Sequence, residues 1–151
     1  MNKTTPSFRR MDVGDIDTVM LVENQVYEYP WTEGIFNDCI RVGYECWLAL
    51  LEDEVIAHAV ISVAAGESHI LNISIDPKQQ NKGIGKQFIE YLINIAKNKR
   101  AAVIMLEVRP SNVRAINCYN AAGFNEIGCR KNYYPAADGK EDALLFAREI
   151  V

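Results

Sequence analysis

The spacing of apolar residues changes several times along this chain, and each change marks an element. Ile84, Phe88, Tyr91, Leu92 and Ile95 recur at spacings of four, three, one and three, the stripe of a helix packed on a sheet. Ala102 to Val108 follows as an aliphatic run between Arg100 and Arg109-Pro110, which predicts a buried strand. Strand, helix, strand makes a crossover with parallel strands. Upstream, Ser7 to Met11 reads as a short strand, and Asp15 to Val26 and Thr32 to Arg41 as helices around a Tyr29-Pro30-Trp31 turn. Tyr44 to Leu51, Val55 to Val63 and His69 to Ile75 read as strands of an antiparallel meander, the first two joined by the acidic turn Glu52 to Glu54. In the third, Leu71, Ile73 and Ile75 alternate with Asn72 and Ser74, so the apolar set is expected on the core face.

After Val108, Ser111 is placed to cap a helix from Asn112 to Ala122, with Gly123 just past its end. Asn125 to Lys131 and Asp142 to Glu149 read as closing strands around a Tyr133 to Gly139 loop. The expected class is α/β, a mixed sheet with helices on its faces, in a single domain spanning residues 1–151.

Composition removes several functions. With 49% hydrophobic and 24% charged residues the chain fits a globular protein. Met1 to Arg10 lacks a signal-peptide core and no stretch is long enough for a membrane helix, which predicts a cytoplasmic protein with no membrane partner. A net charge of −4, with scattered basic residues, argues against a nucleic-acid partner. Cys39, Cys46, Cys118 and Cys129 have no C-x-x-C spacing, and neither His58 nor His69 lies beside them, so neither disulfides nor a metal site is expected. Cys118 and Cys129 fall at positions that read as core.

Gln80-Asn81-Lys82-Gly83-Ile84-Gly85 lies between a strand and the strongest helix, where backbone N–H groups and the helix dipole favour an anion. A phosphate can approach glycine closely. A nucleotide P-loop would need glycine at Gln80 and Ser or Thr at Gln87. A dinucleotide site is a closer rival, since Glu107 ends the next strand, but Phe88 replaces the third glycine. Coenzyme A offers the same pyrophosphate.

Gln80-x-x-Gly83-x-Gly85, with Asn112, Ala115, Tyr119 and Gly123-Phe124 further on, resembles the acyl-coenzyme A motif of the GNAT acetyltransferase superfamily. Leu106 to Arg109, Ser111-Asn112, Ala115-Ile116, Gly123 to Glu126, Asn132 to Pro135, Asp138-Gly139, Glu141 to Ala143 and Pro30-Trp31 are similar to that superfamily's bacterial ribosomal-protein-alanine acetyltransferases. The resemblance implies a mostly antiparallel sheet with a V-shaped opening at its parallel strands and acetyl-CoA as cosubstrate. It implies that Ile73, Ser74 and Ile75 pair along pantetheine, that Asn81, Lys82, Gly83, Ile84, Gly85 and Lys86 hold pyrophosphate, and that Asn112 touches the cofactor. The implied partner is the N-terminal alanine of a small-subunit ribosomal protein, met by a monomeric enzyme.

The chemistry needs a group to take a proton from nitrogen, a donor for the oxyanion and an acid for the thiolate. Glu107, at the end of a buried strand, is the candidate base, and the family's base matches it; a salt bridge to Arg109 or another cation is the structural alternative. Tyr119, two turns beyond Asn112, is the candidate acid, against a role as a core aromatic. A backbone N–H near Ile75 is the candidate oxyanion donor. Trp31, Tyr133 and Tyr134 are candidate walls for a peptide terminus. An α-amine of pKa about 7.8 is roughly a tenth neutral at pH 7, whereas lysine near about 10.4 is far less so, which favours a terminal amine. A lysine or small-amine acetyltransferase, and a non-catalytic acyl-coenzyme A sensor, are the competing readings.

Overall fold

A computed structural model describes residues 5–151, so the first four positions of the leader reading lie outside the described residues. Seven strands form a sheet in the order β1-β2-β3-β4-β5-β7-β6, flanked by four α-helices, which is the mixed, mostly antiparallel α/β class expected. The chain divides into two units, one built from residues 1–62 and 71–88, the other from residues 63–70 and 89–151.

In the first unit, β1 (Ser7–Arg10) pairs antiparallel with β2 (Glu45–Leu51), and β2 with β3 (Glu54–Ala64). The β2–β3 turn is Glu52-Asp53, both at positive φ, the geometry that matches strand twist in a two-residue hairpin. Asp12 and Asp15 cap each other around a 3₁₀ turn, so α1 begins one residue later than expected, at Ile16–Val26. Thr32 accepts from Ile35 N and caps α2 (Glu33–Val42), whose end is turned by Gly43 at φ 88°. Met11, Ile16, Val19, Phe36, Cys39, Leu48 and Val60 share one buried cluster.

β4 (Glu67–Ile75) reverses the expected phase: Ser68, Ile70, Asn72 and Ser74 are the buried set, while Leu71 is exposed and Ile73 and Ile75 are half-buried. A buried carboxylate, described below, accepts from the Asn72 amide nitrogen and the Ser74 hydroxyl and so lowers the cost of burying them, although Asn72 Oδ1 stays without a partner.

In the second unit, the start of β4 pairs in parallel with β5 (Val103–Val108), Glu67 to Ile70 against Val103 to Leu106, as the crossover requires. β5 pairs antiparallel with β7 (Gly139–Glu149), and β7 with β6 (Asn125–Ala136). Tyr133 to Ala136 therefore belongs to a strand, not to the expected loop. Pro135 is tolerated because β6 is the last strand in the order, and a bulge between Arg130 and Tyr134, with Asn132 at φ 53°, absorbs the irregular stretch.

α3 runs over Ile84–Asn98 and buries Ile84, Phe88, Ile89, Leu92, Ile93 and Ala96; Tyr91 and Ile95 flank that stripe half-buried. α4 (Val113–Ala121) is capped by Asn112, whose side chain accepts from Ala115 N, not by Ser111. Ser111 N instead donates to Glu141 Oε2 at 2.9 Å. Cys118 is half-buried and Cys129 exposed, whereas Cys39 and Cys46 are the buried pair, which corrects the core assignment. No helix among the described residues is long and apolar enough to cross a membrane, and no described cluster of His, Cys, Asp and Glu is arranged to hold a metal.

Candidate active site

Glu107 sits near the end of β5, opposite Leu145 of β7, with its side chain 11% exposed. His69 Nε2 on β4 lies 3.5 Å from Glu107 Oε1, and Arg130 Nε on β6 lies 3.7 Å from the same oxygen. Glu107 Oε2 is buried without a hydrogen-bond partner. The carboxylate thus keeps one oxygen near two basic side chains and the other unspent, and buried polar atoms in that condition usually await a ligand or water. Of the cations that the salt-bridge alternative allows, Arg109 is engaged elsewhere, its Nη1 reaching Pro135 O at 2.7 Å and Glu141 Oε1 at 3.2 Å, whereas Arg130 is the other cation.

The two tyrosines expected to line a peptide site, Tyr133 and Tyr134, lie at the end of the bulged stretch of β6. Tyr133 and Tyr134 meet edge to face with ring centroids 4.9 Å apart, Arg130 lies over Tyr133 and Arg109 over Tyr134. Tyr133 is 48% exposed, and partial burial of the phenol, its hydrogen bond to the Glu107 carboxylate and repulsion from that charge raise its pKa. Tyr119 is buried on α4, its ring 5.8 Å from that of Phe124.

In the first unit, Glu23 emerges from α1 into a fully enclosed polar cluster. His58 Nε2 lies 2.9 Å from Oε1, Asn72 Nδ2 donates at 3.2 and 3.1 Å, Ser74 Oγ donates at 2.9 Å, and Trp31 N donates to Oε2 at 3.0 Å. Burial alone would raise the Glu23 pKa, but the hydrogen bonds from His58 and Trp31, attraction to His58 and the Ser74 hydroxyl together hold it below its ordinary value. Glu23 therefore joins the Trp31 backbone to the polar face of β4. The Trp31 ring packs 5.2 Å from that of Phe36.

The expected cofactor strand is partly occupied by its own unit. Ile73 O accepts from Tyr27 Oη at 2.6 Å, Ile75 O accepts from Gln80 Nε2 at 3.0 Å, and the Ser74 hydroxyl is spent on Glu23. Tyr27 is half-buried, and the desolvation of its phenol, together with repulsion from Glu23, pushes its pKa up to about 12, so the phenol stays a donor. In the glycine loop, Asn81 and Gly83 have φ of 64° and 81°, and a side chain added at Gly83 would meet nothing within 4 Å. Backbone of that kind gathers N–H groups into an anion-binding concavity. Ile84, 2% exposed, anchors the loop to the core, Lys82 and Lys86 stay exposed, and Gly85 is half-buried. The loop fits a pyrophosphate: it is open at Gly83, carries cationic side chains and leads into a fifteen-residue helix.

The acetyltransferase (GNAT) family model matches residues 12–124, which include this loop, Glu107 and Tyr119. The chain belongs to the GNAT acetyltransferase family. This GNAT chain is 34% identical over 140 residues to the ribosomal protein bS18-alanine N-acetyltransferase of Escherichia coli K12, covering 93% of the chain and 95% of that protein. It is 32% identical over 145 residues to a Bacillus subtilis protein named for the same activity, covering 95% of each. The crystal structure of the Escherichia coli ribosomal-protein-S18-alanine N-acetyltransferase superposes with a TM-score of 0.88 at 32% identity, over 97% of this chain and 94% of that one. At the level of fold alone, a Salmonella typhimurium protein solved with its cofactor acetyl-CoA reaches a TM-score of 0.80 at 14% identity, over 99% of this chain and 95% of that one.

Sequence reasoning assigns no role to Glu23, His58, His69 or Arg130. A carboxylate on the apolar stripe of Ile16, Val19 and Val22, and a histidine inside the run Val55 to Val63, are the two signals that could have flagged the first pair. Arg130 carries no such signal, because only the fold of β6 brings it to Glu107.

Proposed function

We propose that this chain moves the acetyl group of acetyl-CoA to the N-terminal α-amine of a small-subunit ribosomal protein that begins with alanine. The observation that carries the reading is Glu107, a carboxylate removed from water that keeps one oxygen unpartnered. That oxygen is suited to accept a proton from an incoming amine, directly or through water. The relatives named for bS18-alanine acetylation, similar over nearly the whole chain, support the acceptor assignment.

In this reading acetyl-CoA binds by its pyrophosphate at Asn81 to Lys86, with pantetheine along Ile73, Ser74 and Ile75 and a further contact from Asn112. The carbonyls of Ile73 and Ile75 already accept one hydrogen bond each, so their second lone pairs and the strand's N–H groups are what pantetheine would use. The amine nitrogen attacks the thioester carbonyl, the C–S bond breaks, and Tyr119 gives its phenolic proton to the departing thiolate. Trp31, Tyr133 and Tyr134 hold the acceptor peptide. The enzyme acts as a monomer without nucleic acid.

The deciding assay offers acetyl-CoA with an alanine-starting basic peptide, beside the same peptide N-blocked and carrying lysine, and locates the acetyl group by mass spectrometry. Acetylation at the free terminus alone is expected. Modification of lysine alone would overturn the terminal-amine reading in favour of a lysine acetyltransferase, and tight acetyl-CoA binding with no transfer to either peptide would favour a sensor.

A further inference from the structure

We propose that His69 is the proton exit of the active site, taking from Glu107 the proton that the reaction releases and passing it to solvent. This rests on Glu107 as the base. Acetylating an ammonium removes two protons from nitrogen, while the thiolate takes up one, so one proton per turnover must leave the site. Glu107 is poorly placed to deliver it to water, its side chain being 11% exposed. His69 is the more open group at 27%, with Nε2 3.5 Å from Oε1, the oxygen opposite the unpartnered one. Contacts of this kind in a substrate-free site tighten once substrate is bound.

The geometry divides the carboxylate into an entry and an exit. Oε2 takes the proton from nitrogen; a half-turn of the carboxyl group presents it to Nε2 of neutral His69, which carries it outward. The nitrogen then forms its bond to the acetyl carbon, its second proton goes to the regenerated carboxylate, and the thiolate leaves with the proton of Tyr119. The second proton leaves Glu107 by the same His69 path and solvent returns one proton to the Tyr119 phenolate, so the balance closes with one proton released.

The charged and titratable groups facing His69 are Glu107 on β5, with Arg130 and Tyr133 on β6 beside that carboxylate. Partial burial and the neighbouring carboxylate raise the Tyr133 pKa, so its phenol remains a donor beside Glu107. An imidazole that carries protons on both ring nitrogens cannot accept another, so the relay runs only through a ring nitrogen with a free lone pair.

The test is the pH profile of kcat with acetyl-CoA and the alanine-starting peptide, for wild type, His69→Gln, His69→Ala and Glu107→Gln. His69→Gln is expected to lower kcat about tenfold, less than the loss from removing a direct acid or base, to leave KM for acetyl-CoA unchanged and to remove an inflection that the wild-type profile shows. Added imidazole should restore turnover of His69→Ala. A His69→Gln profile that superimposes on wild type overturns the proposal, as does lower turnover with the inflection intact and no imidazole rescue, which would make His69 a packing residue. Full turnover in Glu107→Gln would instead sink the base assignment itself.

Discussion

Glu23 and Glu107 are both carboxylates that the fold takes out of water, and their surroundings are built in opposite ways. Glu23 is 1% exposed and accepts from His58, Asn72, Ser74 and the Trp31 backbone, so that both oxygens are used. Glu107 has basic groups at one oxygen only, at 3.5 and 3.7 Å, and nothing on the other. A saturated buried carboxylate can organise its neighbours but has no capacity left for chemistry. An unsaturated one retains the lone pairs that a proton transfer needs, and the fold carries the cost of leaving it incomplete.

The comparison predicts that Glu23 governs stability. Glu23→Ala would leave the donors of Asn72, Ser74 and Trp31 buried and unpaired, and the cost of removing one partner from such a buried charged cluster is about 3–5 kcal/mol. Domains of this size are stable by only about 5–15 kcal/mol. A large drop in the urea midpoint at unchanged slope is expected. A midpoint within experimental error of wild type would show that the cluster does not hold the Trp31 loop and β4 together.

Glu107 is expected to behave the other way. Glu107→Gln preserves shape, so the urea midpoint should stay close to wild type, while turnover falls about a hundredfold, equivalent to about 2.7 kcal/mol in the barrier. Tyr119→Phe should give a similar loss with acetyl-CoA affinity retained. Equilibrium binding of acetyl-CoA beside steady-state kinetics separates the two effects. Unchanged turnover in both variants would remove the acid and base assignments and leave the sensor reading.

The contrast between the two carboxylates also accounts for what the amino-acid sequence discloses. The elements that carry Glu107 and Tyr119, a strand end and a helix two turns past Asn112, are readable from local periodicity, whereas the roles proposed for the two side chains come from the resemblance. The loop from Gln80 to Gly85 is readable as a strand-to-helix turn, but its glycines alone do not name a ligand, and coenzyme A enters only with the wider resemblance. Glu23 is marked only as a carboxylate on an apolar stripe, and its role is not readable, since its partners lie eight to fifty-one residues away and only the folded first unit assembles them. The same cluster explains the reversed face of β4, where Asn72 and Ser74 are buried because a carboxylate meets them. Tyr133 to Ala136 reads as a loop because Pro135 and Asp138-Gly139 are turn signals. The bulge at Arg130 to Tyr134 instead extends β6 to Ala136, with only a two-residue turn before Gly139.

The smallest expected effect is the dependence of stability on acid, and its sign follows from Glu23. Its pKa in the folded protein lies below the ordinary value of 4.5, because the hydrogen bonds from His58 and Trp31 outweigh the effect of burial. A carboxylate whose pKa is depressed by folding stabilises the native state fully above the unfolded value, and that stabilisation is lost as pH falls through the folded value. Unfolding free energy should therefore decline below about pH 4.5 as protonated Glu23 ceases to serve four sets of donors. Asp15, Glu141 and Asp142 also have lowered pKa values, held down chiefly by Arg9, by Ser111 and by the Asn132 backbone, so wild type alone would not isolate the term. Those three pairs persist in Glu23→Gln, which lacks only the titrating group in the cluster. Urea unfolding of both proteins between pH 3 and 7 should show the variant less stable at neutral pH and the gap closing in acid. A gap that stays constant across that range would mean that Glu23 acts in this fold through its shape and hydrogen-bonding capacity alone, and not through its charge.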